Sequence, residues 1–186
     1  MRKIILFNLT SLDGYFEGPD RDINWHIVDD EFNEFAIQQT GEFVALHFGR
    51  VTYELMASYW PTEDAKRNDP AITEIMNRLP KIVFSKTLKK VEWENTRLVN
   101  ENFVEAISKL KQEAGKDIAI FGSSDLAVTL LEHGLLDELR IMVNPILLGK
   151  GKTIFQGIKT QLGLKLLKTR TFKSGNILLY YEPEYK

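Results

Sequence analysis

Ile4-Ile5-Leu6-Phe7 is a continuous apolar run that ends at polar Asn8. A strand of this kind has no solvent face, which is typical of the centre of a parallel sheet covered by helices on both sides. Similar runs occur at residues 43–48 and 117–121. We therefore expect residues 3–9, 43–48 and 117–121 to form buried strands of an α/β fold.

Around these strands, helical patterns alternate with strand patterns. Pro70 at a first helical position and Pro80 as a stop mark the clearest helix. Further helices are predicted at about residues 29–39, at residues 103–114, and directly after Thr52 and Ser124. Further strands are predicted at residues 81–84, 97–99 and 138–147, and residues 164–172 and 176–181 predict an antiparallel hairpin. The expected architecture is one domain over residues 1–186, with a mixed, largely parallel sheet flanked by helices.

The composition excludes several classes of protein. The chain has 186 residues, a formal net charge of -2 and no cysteine. The near balance of charge offers little to nucleic acid or anionic membranes, and no apolar window reaches the roughly 18 to 20 residues of a membrane span. Disulfides and thiolate chemistry are excluded, and His26, His47 and His133 lack metal-ligand spacing. We expect a cytoplasmic protein that binds no metal, nucleic acid or membrane.

Three similar motifs follow predicted strands: Gly49-Arg50-x-Thr52, Ser85-Lys86 and Gly122-Ser123-Ser124. Ligands of open α/β sheets bind beyond the carboxyl ends of the strands. Hydroxyls and free N–H groups at helix N-termini suit phosphate oxygens, and glycine allows close approach of the backbone. Arg50 and Lys86 could neutralise a further phosphate, which favours a cofactor of the NADP type. Each motif alone is also compatible with ordinary turn and cap chemistry, but their repetition favours a phosphate site.

Two other glycine patterns do not indicate a nucleotide site. Gly151-Lys152-Thr153 resembles the end of a P-loop, but that motif needs a glycine where this chain has Ile146. The glycine fingerprint of Rossmann dinucleotide domains is also absent. Any nucleotide must therefore be held in another way.

The segment from Ser11 to Glu34 contains the candidate acid and base residues. A carboxylate near Trp25 and phenylalanines would have a raised pKa, as a proton donor requires at neutral pH. Asp13 and Asp30 are the candidates for this catalytic role, and Trp25 is a candidate wall of the substrate pocket. Asp29 is better explained as a helix cap. A turn at Asp13-Gly14 and a favourable helix dipole at Asp30 are equally good explanations for those two aspartates.

The order of motifs resembles the dihydrofolate reductase superfamily, and within it the reductase domain of the bifunctional riboflavin-biosynthesis deaminase-reductase. Nearly the whole chain takes part, through Ser11-Leu12-Asp13-Gly14, Asp22-Ile23-Asn24-Trp25, Phe48-Gly49-Arg50-Val51-Thr52-Tyr53, Ile120-Phe121-Gly122-Ser123-Ser124 and the segment from Gly134 to Gly151. The resemblance implies an eight-stranded, mostly parallel sheet, NADPH as the hydride donor, and a pteridine-like or pyrimidine-like substrate.

The resemblance also assigns residues. Gly49, Arg50 and Thr52 match the phosphate motif, and Ser85 and Lys86 match the site of the adenosine 2′-phosphate. Gly122 and Ser123, with Ser124 beside them, match the glycine pair that faces the pyrophosphate, although serine replaces the second glycine. Asp30 falls near the substrate carboxylate of folate reductases, and Asp13 matches the aspartate of the riboflavin-branch loop. The chain has neither the cysteines nor the length for a zinc deaminase domain.

The leading hypothesis is an NADPH-dependent reductase of a small heterocycle, and a true dihydrofolate reductase is a second enzymatic version. The alternative is a non-catalytic nucleotide- or ligand-binding protein with the same fold. Only Arg21 offers a cation in the substrate loop, which is too little for a ribosyl phosphate. The family implies a homodimer, for which residues 138–147 and Tyr180-Tyr181 are the apolar candidates.

Overall fold

The computed structural model describes residues 1–185, and its centre is an eight-stranded sheet. The strands of the described residues are β1 (Ile4–Ser11), β2 (Tyr15–Glu17), β3 (Phe43–Gly49), β4 (Lys81–Phe84), β5 (Thr96–Val99), β6 (Asp117–Phe121), β7 (Glu138–Asn144), β8 (Lys152–Thr153), β9 (Gly163–Thr171) and β10 (Ile177–Glu184). Strands β2 and β8 lie outside this sheet, and the other eight form it. The helices are α1 (Asp30–Thr40), α2 (Arg50–Tyr59), α3 (Glu63–Asn68), α4 (Pro70–Arg78), α5 (Phe103–Gln112) and α6 (Ser124–Glu132), with a short 3-10 turn at Pro19–Arg21.

The sheet is mostly parallel, as the sequence predicted. Its strand order is β5-β4-β3-β6-β1-β7-β10-β9. All neighbours from β5 to β7 pair in parallel, whereas β10 runs antiparallel to both β7 and β9. The strands that carry the three motifs, β4, β3 and β6, are neighbours, so the motifs leave the same edge of the sheet side by side.

The side chains of the apolar run in β1 pack into two hydrophobic cores, one on each face of the sheet. Ile4 and Leu6 face one layer with α5 and α6, where Ile107 and Leu130 pack. Ile5 faces the opposite layer, which α2 and α4 cover. Successive side chains of a strand point to opposite faces, and both faces of β1 are therefore apolar.

Strand β7 differs from its prediction in extent and in environment. It ends at Asn144 rather than at residue 147. Pro145 follows, and proline has no N–H for the ladder. β7 lies between β1 and β10, and Tyr180 is buried. The apolar character on which the homodimer expectation rested is therefore accounted for by the interior of the chain.

Some short elements were not predicted. β2 and β8 form a separate two-stranded antiparallel sheet, and α3 precedes α4. β2 and β8 are too short to show a hydrophobic period. Within residues 1–185, no helix is both long and apolar enough to cross a membrane.

Candidate active site

Two adjoining cavities lie where the motif-bearing strands end. The helix-end cavity, of about 380 Å³, touches Gly49, Arg50, Ser123 and Ser124. The apolar cavity, of about 440 Å³, lies between β1, α1 and α2. Both cavities are lined by the same five residues at their junction, which are Phe16, Glu17, Arg21, Val51 and Thr52. The two cavities therefore form one cleft.

A wider groove of about 1000 Å³ lies outside this cleft. It runs along the outer side of α2 and includes Tyr53, Lys89, Lys90 and Glu92. It contains none of the residues of the three strand-end motifs. Size alone is therefore a poor guide to the site, and the strand ends identify the cleft better.

Two helices begin at the helix-end cavity. Gly49 is the N-cap of α2 and Ser123 is the N-cap of α6, and neither cap makes a side-chain hydrogen bond to the first turn. The first N–H groups of a helix have no partner within the helix, and they carry a partial positive charge. Two such ends at one cavity favour the binding of an anion.

The loop between β6 and α6 is held against α2 by specific contacts. Ser123 N–H donates to Thr52 Oγ1 at 3.0 Å, and Gly49 N–H donates to Ser123 Oγ at 2.9 Å. Gly122 has a φ of 58°, and a Cβ added there would lie 3.0 Å from Thr52 side-chain atoms. Glycine is needed at residue 122 both for this backbone conformation and for the close approach to Thr52.

The charges of the helix-end cavity are mixed and weakly positive. Arg50 pairs with Glu54 at 2.9 Å, and Lys152 pairs with Asp125 at 3.1 Å. Arg21 also lines this cavity. Lys152 belongs to Gly151-Lys152-Thr153, which resembles the end of a P-loop without being one. Its place in the site depends on the pairing of β8 with β2, which no local motif signals.

Ser85 and Lys86 do not line either cavity. Ser85 Oγ instead accepts hydrogen bonds from Thr87 N–H at 3.2 Å and Leu88 N–H at 3.0 Å, which closes the turn after β4. Phe84, the residue before them, does line the helix-end cavity. The assignment of Ser85 and Lys86 to a 2′-phosphate remains a prediction, and the turn gives Ser85 a structural role.

The apolar cavity is walled by aromatic and aliphatic side chains from β1, α1, α2 and α4. They include Phe7, Leu9, Phe32, Leu55, Met56, Trp60, Ile72 and Met76. Such walls exclude water and accept the faces of a flat ring system. The polar side chains that reach this cavity include Asn8, His26, Asn33 and Gln39.

Asp13 lies outside both cavities and joins two loops. Its carboxylate accepts hydrogen bonds from Leu148 N–H at 3.1 Å and Gly149 N–H at 2.8 Å. The Ser11 side chain and these two N–H groups lower the pKa of Asp13, which is therefore ionised at neutral pH. An ionised carboxylate cannot donate a proton, and the geometry supports the turn-and-loop explanation.

Asp30 and Trp25 also lie outside the cavity walls. Asp30 is the exposed first residue of α1, next to the N-cap Asp29, which accepts from Phe32 N–H at 2.8 Å. Trp25 donates to the Asp22 carbonyl at 3.0 Å and stands edge-on to His26. The cap role of Asp29 is confirmed, whereas the roles predicted for Asp30 and Trp25 remain predictions. The neighbours His26 and Asn33 reach the cavity instead.

The backbone next to His26 is held by two buried asparagines. Asn144 Oδ1 accepts from Ile27 N–H at 3.0 Å, and Asn176 Nδ2 donates to the Ile27 carbonyl at 3.1 Å. Both asparagines are fully buried. Burial lowers the pKa of His26 to about 4, although the nearby backbone of Phe16 and the charge of Asp22 oppose the shift. The imidazole is therefore neutral at pH 7.

Comparison with known proteins identifies a family and a relative of this chain. The family model of the RibD C-terminal domain matches residues 2–178. YyaP of Bacillus subtilis (strain 168), described as uncharacterized, is 32% identical over 182 residues, which is 97% of this chain and 94% of YyaP.

Two solved structures have the same fold. One is a Shewanella sp. PV-4 protein that its description places in riboflavin biosynthesis, with a TM-score of 0.75, 23% identity, and coverage of 98% of this chain and 99% of that protein. The other is dihydrofolate reductase of Enterococcus faecalis, complexed with NADP(H), with a TM-score of 0.66, 15% identity, and coverage of 98% and 97%.

Proposed function

The chain belongs to the RibD C-terminal domain family, and on that premise we propose that it is an NADPH-dependent reductase of a small heterocyclic, pyrimidine-like or pterin-like substrate. The observation that carries the proposal is the two-part cleft, in which the helix-end cavity opens into the apolar cavity at Val51 and Thr52. A reductase of this type needs both parts, because the cofactor is anionic and the hydride must move in the absence of bulk water.

The residues at the helix-end cavity fit a phosphate-bearing cofactor. The first turns of α2 and α6, which no side chain caps, line this cavity, and the N–H groups of a first turn suit phosphate oxygens. We assign Gly49, Arg50, Thr52, Gly122, Ser123 and Ser124 to binding this cofactor, with Lys152 added. The complex of NADP(H) with the Enterococcus faecalis enzyme of the same fold supports the choice of cofactor.

When bound, NADPH supplies the hydride. The protein's part is to hold the substrate beside the junction at Val51 and Thr52 and to keep water away with the apolar walls from α1, α2 and α4. Thr52 touches both parts of the cleft, since its side chain accepts from Ser123 N–H and lines the apolar cavity. It is therefore placed to set the distance between cofactor and substrate.

Arg50 is the residue that tests the cofactor assignment. NADPH is expected to raise the melting temperature of the wild-type protein more than NADH does, because only NADPH offers a 2′-phosphate to a cation. Arg50→Ala is expected to reduce the shift by NADPH and to leave the shift by NADH nearly unchanged. The measurement is a thermal-shift titration with both nucleotides.

Arg67→Ala is the matched control, because Arg67 is an exposed arginine in an i,i+3 pair with Asp64, outside both cavities. It should leave both shifts unchanged. If neither nucleotide stabilises the wild-type protein, the non-catalytic alternative becomes the better description. If Arg50→Ala binds NADPH as the wild type does, Arg50 has no role at the 2′-phosphate.

A further inference from the structure

The mouth of the apolar cavity is itself apolar. Leu55 of α2 lines the cavity although 45% of its surface is exposed, and Val28, which precedes α1, lines it with 54% exposed. Ile23 is a third, half-buried side chain of the same lining. A residue that lines a cavity and is also widely exposed lies at its opening. Two separate segments of the chain therefore extend the apolar walls of the interior out to the solvent.

Single exposed apolar side chains are common on protein surfaces and need no explanation. Leu55 and Val28 differ from that case, because they line a cavity whose interior is also apolar, with Met56 from α2 and Ile72 from α4. Exposed apolar surface that continues into an apolar cavity is typical of a ligand-binding groove. An apolar ligand would remove both parts from water together.

The cavity is also larger than a heterocyclic ring requires. Its volume of about 440 Å³ lies in the range of about 300–1000 Å³ that is typical of pockets for drug-sized ligands. A pyrimidine or pterin ring is smaller than such a ligand, and a ring held beside Thr52 leaves space between itself and the mouth. Because Leu55 and Val28 bound this space, an apolar group fits it best.

The charges around the apolar cavity disfavour an anionic group in this space. The lining includes the carboxylates of Glu17, Glu54 and Asp69, and its only cation among the described residues is Arg21. Arg50 pairs with Glu54, which leaves Glu17 and Asp69 against the single charge of Arg21. A phosphate or carboxylate would meet a net negative lining, whereas an uncharged group meets no such barrier.

We propose that the substrate carries an uncharged, apolar substituent, aryl or alkyl, which lies against Leu55 and Val28 at the mouth of the apolar cavity. This inference rests on the proposed function, because it names a part of the substrate of the same cleft and the residues that select it. It separates the substrate of this chain from phosphoribosyl pyrimidines and from folates, since the tails of both are anionic.

The test is a binding experiment with matched compounds on two rings. Each ring is used unsubstituted, with a phenyl group and with a carboxylate: pterin, 6-phenylpterin and 6-carboxypterin, and uracil, 6-phenyluracil and orotate. Affinity is measured by isothermal titration calorimetry at pH 6.5, with and without NADP⁺, which cannot transfer hydride. On at least one ring, the phenyl compound is expected to bind about tenfold or more tightly than the unsubstituted ring, because it buries more apolar surface. The carboxylate is expected to bind no more tightly than the unsubstituted ring.

Leu55→Asn and Val28→Thr make the mouth polar and change the size of the side chain little. Each is expected to reduce the advantage of the phenyl compound about threefold or more, and to leave the affinities of the unsubstituted ring and of NADP⁺ unchanged. Ile37→Asn is the matched control, since Ile37 is an exposed apolar residue of α1 that lies outside both cavities. It should bind every compound as the wild-type protein does.

The inference is overturned if neither phenyl compound binds more tightly than its unsubstituted ring, or if the carboxylates bind as tightly as the phenyl compounds. Failure of all six compounds to bind, or an unchanged phenyl advantage in both mouth variants, would also overturn it. An equal loss in Ile37→Asn would do the same, because the effect would then not belong to the mouth. If NADP⁺ does not bind, the proposed function fails, whereas the six compounds without NADP⁺ still decide the inference.

Discussion

Thr52 is the residue on which the two parts of the cleft depend. Its hydroxyl oxygen accepts from Ser123 N–H, and its methyl group fills the space next to Gly122. The loop after β6 therefore has its shape because a hydroxyl and a methyl group stand together at residue 52. Threonine provides both groups on one stiff side chain.

Thr52→Val keeps the shape of the side chain and removes the acceptor. The buried Ser123 N–H would lose its partner, and the free energy of unfolding is expected to fall by about 1–3 kcal/mol. NADPH affinity should fall as well, because the loop is no longer held. Thr52→Ser, which keeps the hydroxyl, is the control and should behave more like the wild type in urea denaturation and in NADPH titration. Equal stability of all three proteins would contradict this account.

His47 is a fully buried histidine of β3 with both ring nitrogens unpaired in the described chain. Burial, and then the charge of Arg97, lower its pKa to about 3. The unfolded chain takes up a proton at this residue near pH 6.5, whereas the folded chain does so only near pH 3. The unfolded state therefore binds more protons between these values, and stability falls as the pH is lowered through this range.

His47→Leu is expected to raise the free energy of unfolding by about 1–3 kcal/mol at pH 7, because it removes two unpaired buried nitrogens. It should also reduce the loss of stability between about pH 6.5 and pH 4. His26, whose pKa is also lowered, to about 4, keeps part of this acid sensitivity in the variant. Urea denaturation at several pH values measures both effects. A variant less stable than the wild type at every pH would show that the ring packing with Phe84 outweighs the unpaired nitrogens.

At the scale of elements, the two aspartates at the N-terminus of α1 differ in their contacts. Asp29 bonds to Phe32 N–H, whereas Asp30 makes no side-chain hydrogen bond in the described chain. A cap residue satisfies a backbone donor that the helix leaves free. The same helix carries Phe32 and Asn33 into the apolar cavity, and its position therefore shapes this cavity.

Asp29→Ala is expected to lower the free energy of unfolding by about 1 kcal/mol, because the cap is lost. Asp30→Asn should change stability by much less, which thermal denaturation of the two variants can measure. The pair also tests the predicted catalytic role of Asp30. If Asp30→Asn lowers kcat with a heterocycle that the wild-type protein reduces, without changing stability, the role predicted from the sequence is correct. If kcat is unchanged, it is wrong.

At the scale of the whole molecule, the sheet ends in an exposed strand that carries three leucines. β9 is the last strand of the sheet, and Leu164, Leu166 and Leu167 are exposed by 40%, 52% and 44% of their surface. An edge strand has unpaired backbone groups that a second chain can use. The homodimer expected from the resemblance thus stays a prediction, and β9 is a better place for its interface than β7.

Leu166→Lys is expected to shift the protein from dimer to monomer, because it places a charge among the exposed leucines of the edge strand β9. Leu147→Lys is the control, since Leu147 is also exposed, by 70%, but lies in the loop after β7. Sedimentation velocity reports the mass of each protein in solution. A monomeric wild-type protein would refute the homodimer, and a dimeric Leu166→Lys variant would place the interface elsewhere.

The sequence determined the eight strands of the main sheet, the main helices and the order of the motifs. Continuous apolar runs, the proline pair at Pro70 and Pro80, and the glycines at strand ends are local signals, and each depends on a few neighbouring residues. Parallel strands then bring their carboxyl ends to one edge without further information. For this reason Gly49, Arg50, Thr52, Gly122, Ser123 and Ser124 could be grouped before the fold was known, and all of them line the cleft. Ser85 and Lys86 were grouped with them by the same argument and do not line it.

Tertiary structure alone decided which polar side chains line the apolar cavity. The sequence makes Asp13 a candidate proton donor, but its carboxylate accepts hydrogen bonds from the N–H groups of Leu148 and Gly149. Asn8 and His26 belong to no motif in the sequence, yet the fold places both in the lining of the apolar cavity. The physical reason is that the hydrogen-bond partner of a side chain comes from segments distant in sequence. Only the packed fold determines which polar groups are satisfied and which remain for a ligand.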